Sequence, residues 1–170
     1  MLEFGTKRKN EERRDGGCAV VFDPKNQKYV AYINLKNNHL GLYGGGFDEG
    51  EDEEKGVLRE LMEESGLYNF LYIEKIDRVI THYHNINKNI NRVAFAVCFM
   101  VILKSTDLKS TQLEGHENFK LIYTTPEEMM ESWSSINENK DYDHWIYFLK
   151  KGVARAIELG YDKTSKFYNN

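Results

Sequence analysis

Three acidic side chains in one short stretch, Glu60, Glu63 and Glu64, are related by offsets of three and four residues. At the period of an α-helix this spacing turns their carboxylates toward one face. That face lies away from an apolar stripe formed by Val57, Leu58, Leu61 and Met62. Like charges so placed repel one another, so a partner from outside the helix should neutralise them. Divalent cations are the natural candidates, and hard oxygen donors with no adjacent Cys or His favour Mg²⁺ or Mn²⁺ over Zn²⁺. Magnesium keeps several waters and bridges carboxylates to substrate phosphates, which implies phosphoryl or pyrophosphoryl transfer to water. The run Gly44-Gly45-Gly46 fits the same chemistry, because backbone groups there can approach an ion or phosphate unobstructed. Arg59 adjoins Glu60 in sequence and is expected to point elsewhere, toward a preceding loop acid such as Glu51. Taken one at a time, the acids from Glu51 to Glu64 also describe a solvated acidic face.

The elements that must hold these residues follow from pattern. Asp52 to Ser65 reads as a helix with Asp52 as N-cap, Glu53 and Glu54 in the first turn and Gly66 as the terminating glycine. Before it, Cys18 to Phe22 and Tyr29 to Leu35 form a hairpin closed by Asp23-Pro24-Lys25-Asn26. After it come strand-like runs at Leu71 to Ile80 and Val93 to Leu103, joined by the Asn-rich connection Asn85 to Asn91, and a short strand at Lys120 to Tyr123. Thr125 as N-cap, Pro126 at the first helical position and Glu128 three residues after the cap start a helix that runs to about Trp133. Asp141 to Leu159 is a second long helix with Trp145, Phe148, Leu149 and Val153 on its inner face. This order predicts an α/β sandwich, a mixed sheet with helices on both faces. Residues 1–14 are expected as a flexible arm, 15–161 as one domain and 162–170 as a frayed tail.

Composition narrows the partners. The 170 residues carry a formal charge of −4, which disfavours a nucleic-acid duplex or an anionic membrane as the main partner. The basic cluster from Lys7 to Arg14 reads as a solvated arm. The longest apolar stretch, Val93 to Leu103, is about half the ~20 residues a spanning helix needs. The opening residues lack the apolar core of a secretory signal, so the expected location is cytoplasmic. Cys18 and Cys98 each sit inside an apolar run and read as small buried hydrophobes.

From Gly45 to Leu67 the chain reads Gly45, five residues, Glu51, seven residues, Arg59-Glu60-Leu61, one residue, Glu63-Glu64, one residue, Gly66-Leu67. It resembles the Nudix hydrolase superfamily at every fixed position of that family's box. The resemblance implies a Nudix-type α/β/α sandwich and a Mg²⁺-dependent (or Mn²⁺-dependent) pyrophosphohydrolase cleaving a nucleotide-type substrate. By similarity, Glu63 and Glu64 ligate the metal, Glu60 is a further ligand or the base that activates water, and a backbone carbonyl at Gly44 or Gly45 completes the coordination. Glu51 and Arg59 look like the ion pair that braces the motif. Gly56 departs from the Ala of many relatives, at about 1 kcal/mol of helix propensity.

In some branches of the family the base is a Glu on a later loop, a role Glu117, ahead of Glu114, is placed to fill. Gly46, Phe47 and Tyr83 are candidate substrate contacts. Phe47, Tyr83 and Phe119 are candidate stacking surfaces for a base or else core, and Trp133 and Trp145 are core. His82 and His84 share one face of a strand and suit substrate contact or structure, since a metal reading lacks a third ligand. A tyrosine at the distance of Tyr83 resembles dinucleoside polyphosphate hydrolases, and no proline stands where ADP-ribose hydrolases carry one. Nucleoside or dinucleoside polyphosphates are therefore favoured over ADP-ribose or nucleotide sugars. The alternative is a Nudix-fold nucleotide-binding regulatory module without hydrolysis; decapping of RNA is disfavoured by the net charge. A homodimer is common among similar proteins.

Overall fold

The computed structural model describes every residue except Asn87, Glu114, His116, Glu117, Asn169 and Asn170, and the side chain of Glu138. Its strands are β1 (Glu3–Gly5), β2 (Glu12–Arg13), β3 (Gly16–Asp23), β4 (Lys28–Asn34), β5 (Leu40–Gly41) and β6 (Gly44–Gly46), then, after helix α1 (Glu53–Ser65), β7 (Phe70–Asn85), β8 (Ile90–Leu103) and β9 (Phe119–Thr124). Helices α2 (Pro126–Ser134) and α3 (Asp143–Glu158) close the chain. The strands form one mixed sheet ordered β1-β7-β8-β3-β4-β5, with β2 beside β8, β6 beside β3 and β9 beside β4.

The central strand explains the layers. β3 is apolar at successive positions because both its faces are covered. Ala19 and Val21 turn to one face and pack with Val57 and Leu61 of α1. Cys18, Val20 and Phe22 turn to the other and pack with Met129 and Trp133 of α2 and with Phe148, Leu149 and Val153 of α3. The expected sandwich is therefore present, with α1 on the face that carries the acidic cluster. Both cysteines are buried and free, as expected, and stand opposite each other on β3 and β8. The capping box at Thr125 and Glu128 forms as read. Among the described residues, no helix is long and apolar enough to cross a membrane.

Three expectations need correction. The hairpin β7–β8 is longer than its apolar runs because pairing continues through Tyr83↔Arg92, His84↔Asn91 and Asn85↔Ile90. Backbone bonds do not need apolar side chains, so a pattern-based reading stops too soon. The amino-terminal arm is docked, since β1 pairs in parallel with Ile80–His82 of β7 and β2 with Arg92–Val93 of β8. The start of the tail is anchored too: buried Asp162 accepts from the Tyr29 hydroxyl at 2.7 Å and from the Thr164 and Ser165 amides at 2.9 Å each.

Polar contacts fasten the arm. His82, 4% exposed, has Nδ1 2.9 Å from Glu11 and Nε2 2.8 Å from Glu3. Both ring nitrogens thus meet acids of the arm and tie it to β7. Arg8 donates to Asp141 at 2.7 Å and the Thr6 hydroxyl to the Asn139 carbonyl at 2.9 Å. Replacing His82 with Leu should leave the Glu11 carboxylate without this partner and cost about 2 kcal/mol of stability. Urea unfolding of His82→Leu checks this, and an unchanged midpoint would show that the clamp does not hold the arm.

Candidate active site

The site is built where α1 meets β6. Asp52 caps the helix by accepting from the Lys55 amide at 3.1 Å, and Glu53 and Glu54 lie in the first turn, where the helix dipole favours negative charge. At the far end Gly66 takes the left-handed conformation and its amide donates to the Met62 carbonyl at 2.9 Å. The glycines of β6 run antiparallel to the start of β3, Gly45 opposite Gly17 and Gly46 opposite Gly16. A Cβ on Gly45 would stand 2.4 Å from the carboxyl carbon of Glu60, so only glycine lets that carboxylate lie against the strand.

Arg59 joins the parts. Its Nε and Nη2 donate to the two carboxylate oxygens of Glu51 at 2.8 and 3.0 Å, a bidentate pair. Its Nη1 donates to Glu60 at 2.9 Å and to Glu63 at 3.2 Å, and its Nη2 approaches the Gly46 carbonyl at 3.4 Å. The expected pair with Glu51 is present. The expectation that Arg59 points away from Glu60 is wrong, because the guanidinium is wide enough to face both the loop acid and its own neighbour. Arg59 and a second donor, the Asp48 amide at 3.0 Å, hold the Glu51 carboxyl down at about 2, and the paired acids push Arg59 up.

Glu64 is placed differently. It is buried, at 7% exposure, and one oxygen lies 3.4 Å from the Gly44 amide. Beside it, Tyr43 is fully buried, and its hydroxyl has no hydrogen-bond partner among the described residues. Burial and the Glu64 charge both push that phenol up. Glu60 and Glu64 thus reach adjacent glycines, while Glu60 and Glu63 share one guanidinium nitrogen. Among the described residues, no three His, Cys, Asp or Glu side chains already stand together as a metal cage. The donor set nevertheless fits a hard divalent cation: carboxylates gathered against a glycine strand, a close approach that a Cβ would block, and an unsatisfied buried hydroxyl nearby.

The remaining candidates divide. Phe47 packs over Gly56, where a Cβ would be 2.6 Å from its ring and 2.8 Å from Glu51, so this helix glycine is required by packing. Phe47 also lines an open cleft of about 450 Å³ with Arg13, Arg14, Asp15, Asp48 and Glu49. Tyr83 is half-buried and pairs with Arg92 across the hairpin. Phe119 stacks on Tyr32 with ring centroids 4.0 Å apart. Trp133 is core and packs edge-on against Trp145. His82 belongs to the arm's clamp, and His84 bonds Asn91 at 2.9 Å. Glu114 and Glu117 lie outside the described residues. Sequence reasoning missed Arg14, set aside with the basic arm; the pairing of Gly16 with Gly46 brings it to the site, and its only trace in the sequence is its closeness to Gly16-Gly17.

The NUDIX domain model matches residues 12–147. The chain belongs to the NUDIX family. As a NUDIX hydrolase it acts on pyrophosphate bonds. Solved structures share the NUDIX fold at low identity. The NUDIX domain of Shewanella oneidensis NrtR, complexed with ADP ribose, has a TM-score of 0.59 at 19% identity, over 85% of this chain and 89% of that one. A Caenorhabditis elegans Ap4A hydrolase in a binary complex has a TM-score of 0.58 at 15% identity, over 85% and 98%. The MutT protein of Methanosarcina mazei has a TM-score of 0.56 at 14% identity, over 87% and 98%. No curated protein matches the chain significantly.

Two outcomes follow for the NUDIX motif. Gly56→Ala should lower the melting temperature, at a cost of about 1 kcal/mol, although alanine is the better helix former. A rise in melting temperature would refute the packing account. The depressed Glu51 carboxyl stabilises the folded state above its ordinary value of 4.5, and that contribution is lost as pH falls from there toward about 2. Wild type should therefore exceed Glu51→Gln in urea midpoint at pH 7, with the gap narrowing between pH 4.5 and 3.

Proposed function

We propose that this NUDIX hydrolase is a Mg²⁺-dependent pyrophosphohydrolase of nucleotides or nucleotide derivatives, working with the nucleotides of the cytoplasm. The observation that carries the reading is the Arg59 hub, which gathers Glu51, Glu60 and Glu63 against the glycine strand. Glu60, Glu63 and Glu64 would hold the cation, with the Gly45 carbonyl as a backbone ligand. A divalent cation bound there supplies an activated water and neutralises charge on the phosphate oxygens. The protein's own contribution is positional. Glu51 and Arg59 fix the loop to the helix, so the carboxylates need little reorganisation when substrate arrives. A carboxylate accepts the proton of the attacking water, Glu60 in the motif or, as the alternative, Glu117. Gly46 leaves the backbone open to a phosphate, and Phe47 and Tyr83 stand as substrate contacts.

The neighbours crystallised as an Ap4A hydrolase and as a domain bound to ADP ribose mark the range of substrates to test. Release of phosphate and pyrophosphate with Mg²⁺ should be measured across nucleoside triphosphates, dinucleoside polyphosphates, ADP-ribose and nucleotide sugars. Wild type is expected to cleave at least one class, and Glu63→Gln to lose at least about a hundredfold in kcat/KM with an unchanged fold. Equal activity of the two proteins would remove Glu63 from the site.

A further inference from the structure

Arginines in this protein are paired. Arg13 meets Asp15 at 2.7 Å, Arg59 meets Glu51 at 2.8 Å and Arg92 meets Glu12 at 3.0 Å, and Arg8, Arg78 and Arg155 also face acids. Arg14 differs: its side chain is exposed and makes no ion pair or hydrogen bond among the described residues. Its backbone is fixed on both sides. The Arg14 amide donates to the Val93 carbonyl at 3.0 Å, and the next residue's carbonyl, Asp15, accepts from the Phe47 amide at 3.1 Å. The guanidinium lies along Gly46, where a Cβ would stand 2.5 Å from its Nε. The carbonyl of that same glycine meets Arg59, the hub of the carboxylate cluster. An unneutralised cation is thus held one backbone strand away from the acidic site, at the wall of the 450 Å³ cleft.

The surroundings bias what such a cation can take. Arg13 is neutralised by Asp15 and lies over the Phe95 ring at 4.4 Å, so it offers less to a ligand. Asp48 and Glu49 on the cleft wall repel an anion and direct it toward Arg14. A guanidinium offers its donors in a planar fork that matches phosphate oxygens two at a time.

We infer that Arg14 binds a substrate phosphate lying outside the Glu60, Glu63 and Glu64 cluster, and that the preferred substrates are linear nucleoside or dinucleoside polyphosphates with three or more phosphates. The inference rests on the pyrophosphohydrolase reading of the site. Where a single pyrophosphate joins two uncharged groups, both phosphates belong to the bond being cut, and Arg14 would face only hydroxyls. A longer chain extends a further ionised phosphate past Gly46 to the guanidinium.

The test compares wild type, Arg14→Gln and Arg14→Lys with ATP, diadenosine tetraphosphate and ADP-ribose. Calorimetric binding of a methylene-bridged, non-hydrolysable ATP analogue with Mg²⁺ runs alongside. Arg14 is exposed, so the variants should keep the wild-type melting temperature. Arg14→Gln should weaken analogue binding, and raise KM for the two polyphosphates, by roughly 10- to 100-fold, while KM for ADP-ribose stays within about twofold. Arg14→Lys should recover part of the loss. Wild-type binding and KM in Arg14→Gln would overturn the assignment, as would failure of wild type to bind the analogue. An equal penalty on ADP-ribose would overturn the substrate class. Arg14-dependent binding by a wild type that cleaves nothing would sink the hydrolase reading and leave the Arg14 assignment standing.

Discussion

One guanidinium carries the architecture around the acidic cluster. Arg59 stands on α1, yet its contacts reach back to Glu51 in the preceding loop, sideways to Glu60, forward to Glu63 and across to the Gly46 carbonyl. A helix packed on a sheet is positioned only as well as its apolar stripe allows, and Val57 and Leu61 fix its distance from the strands more than its rotation. A bidentate pair has direction as well as strength, so it sets which way the acidic face of the helix turns. The glycines of β6 are the complement. They remove the side chains that would hold Glu60 off the strand, and the helix can come close enough for its acids to share the backbone of the loop.

Around this contact the sheet acts as a frame with separate tasks on its two faces. The α2 and α3 face holds the larger core, including Trp133 and Phe148. The α1 face has a smaller core, above which Glu60 and Glu63 keep part of their side chains toward solvent while Glu64 is buried. The amino-terminal segment then crosses the frame from β7 to β8 and delivers Arg13 and Arg14 beside β6.

Much of this was legible in the residues. Asp52 and Gly66 bound α1 within a residue, because caps satisfy specific backbone groups and leave a local signature. The spacing from Gly45 to Leu67 carried the family, and the NUDIX match over 12–147 bears it out. The illegible parts are those made by long-range pairing. Residues 3–5 and 12–13 have no periodicity of their own and become strands only because β7 and β8 offer free edges. The polar ends of the β7–β8 hairpin are strand for the same reason. Arg59 was read with its sequence neighbour excluded, since helix spacing describes where Cα–Cβ bonds point and says little about where a long side chain ends. Gly56 looked like a simple helix penalty, and the ring of Phe47 that occupies its missing Cβ could be seen only once the loop was folded back on the helix.

The docked arm also bears on how the chain acquires its structure. Its contacts are among the most distant in sequence: Thr6 reaches Asn139 and Arg8 reaches Asp141, each across 133 residues. These partners emerge from the ribosome long after the arm does, and loop closure over such a span is costly until the sheet between them exists. The arm is therefore among the last segments to be placed. Until then the edge of β7 stands open, while α1 and its glycine strand, close together in sequence, can already assemble.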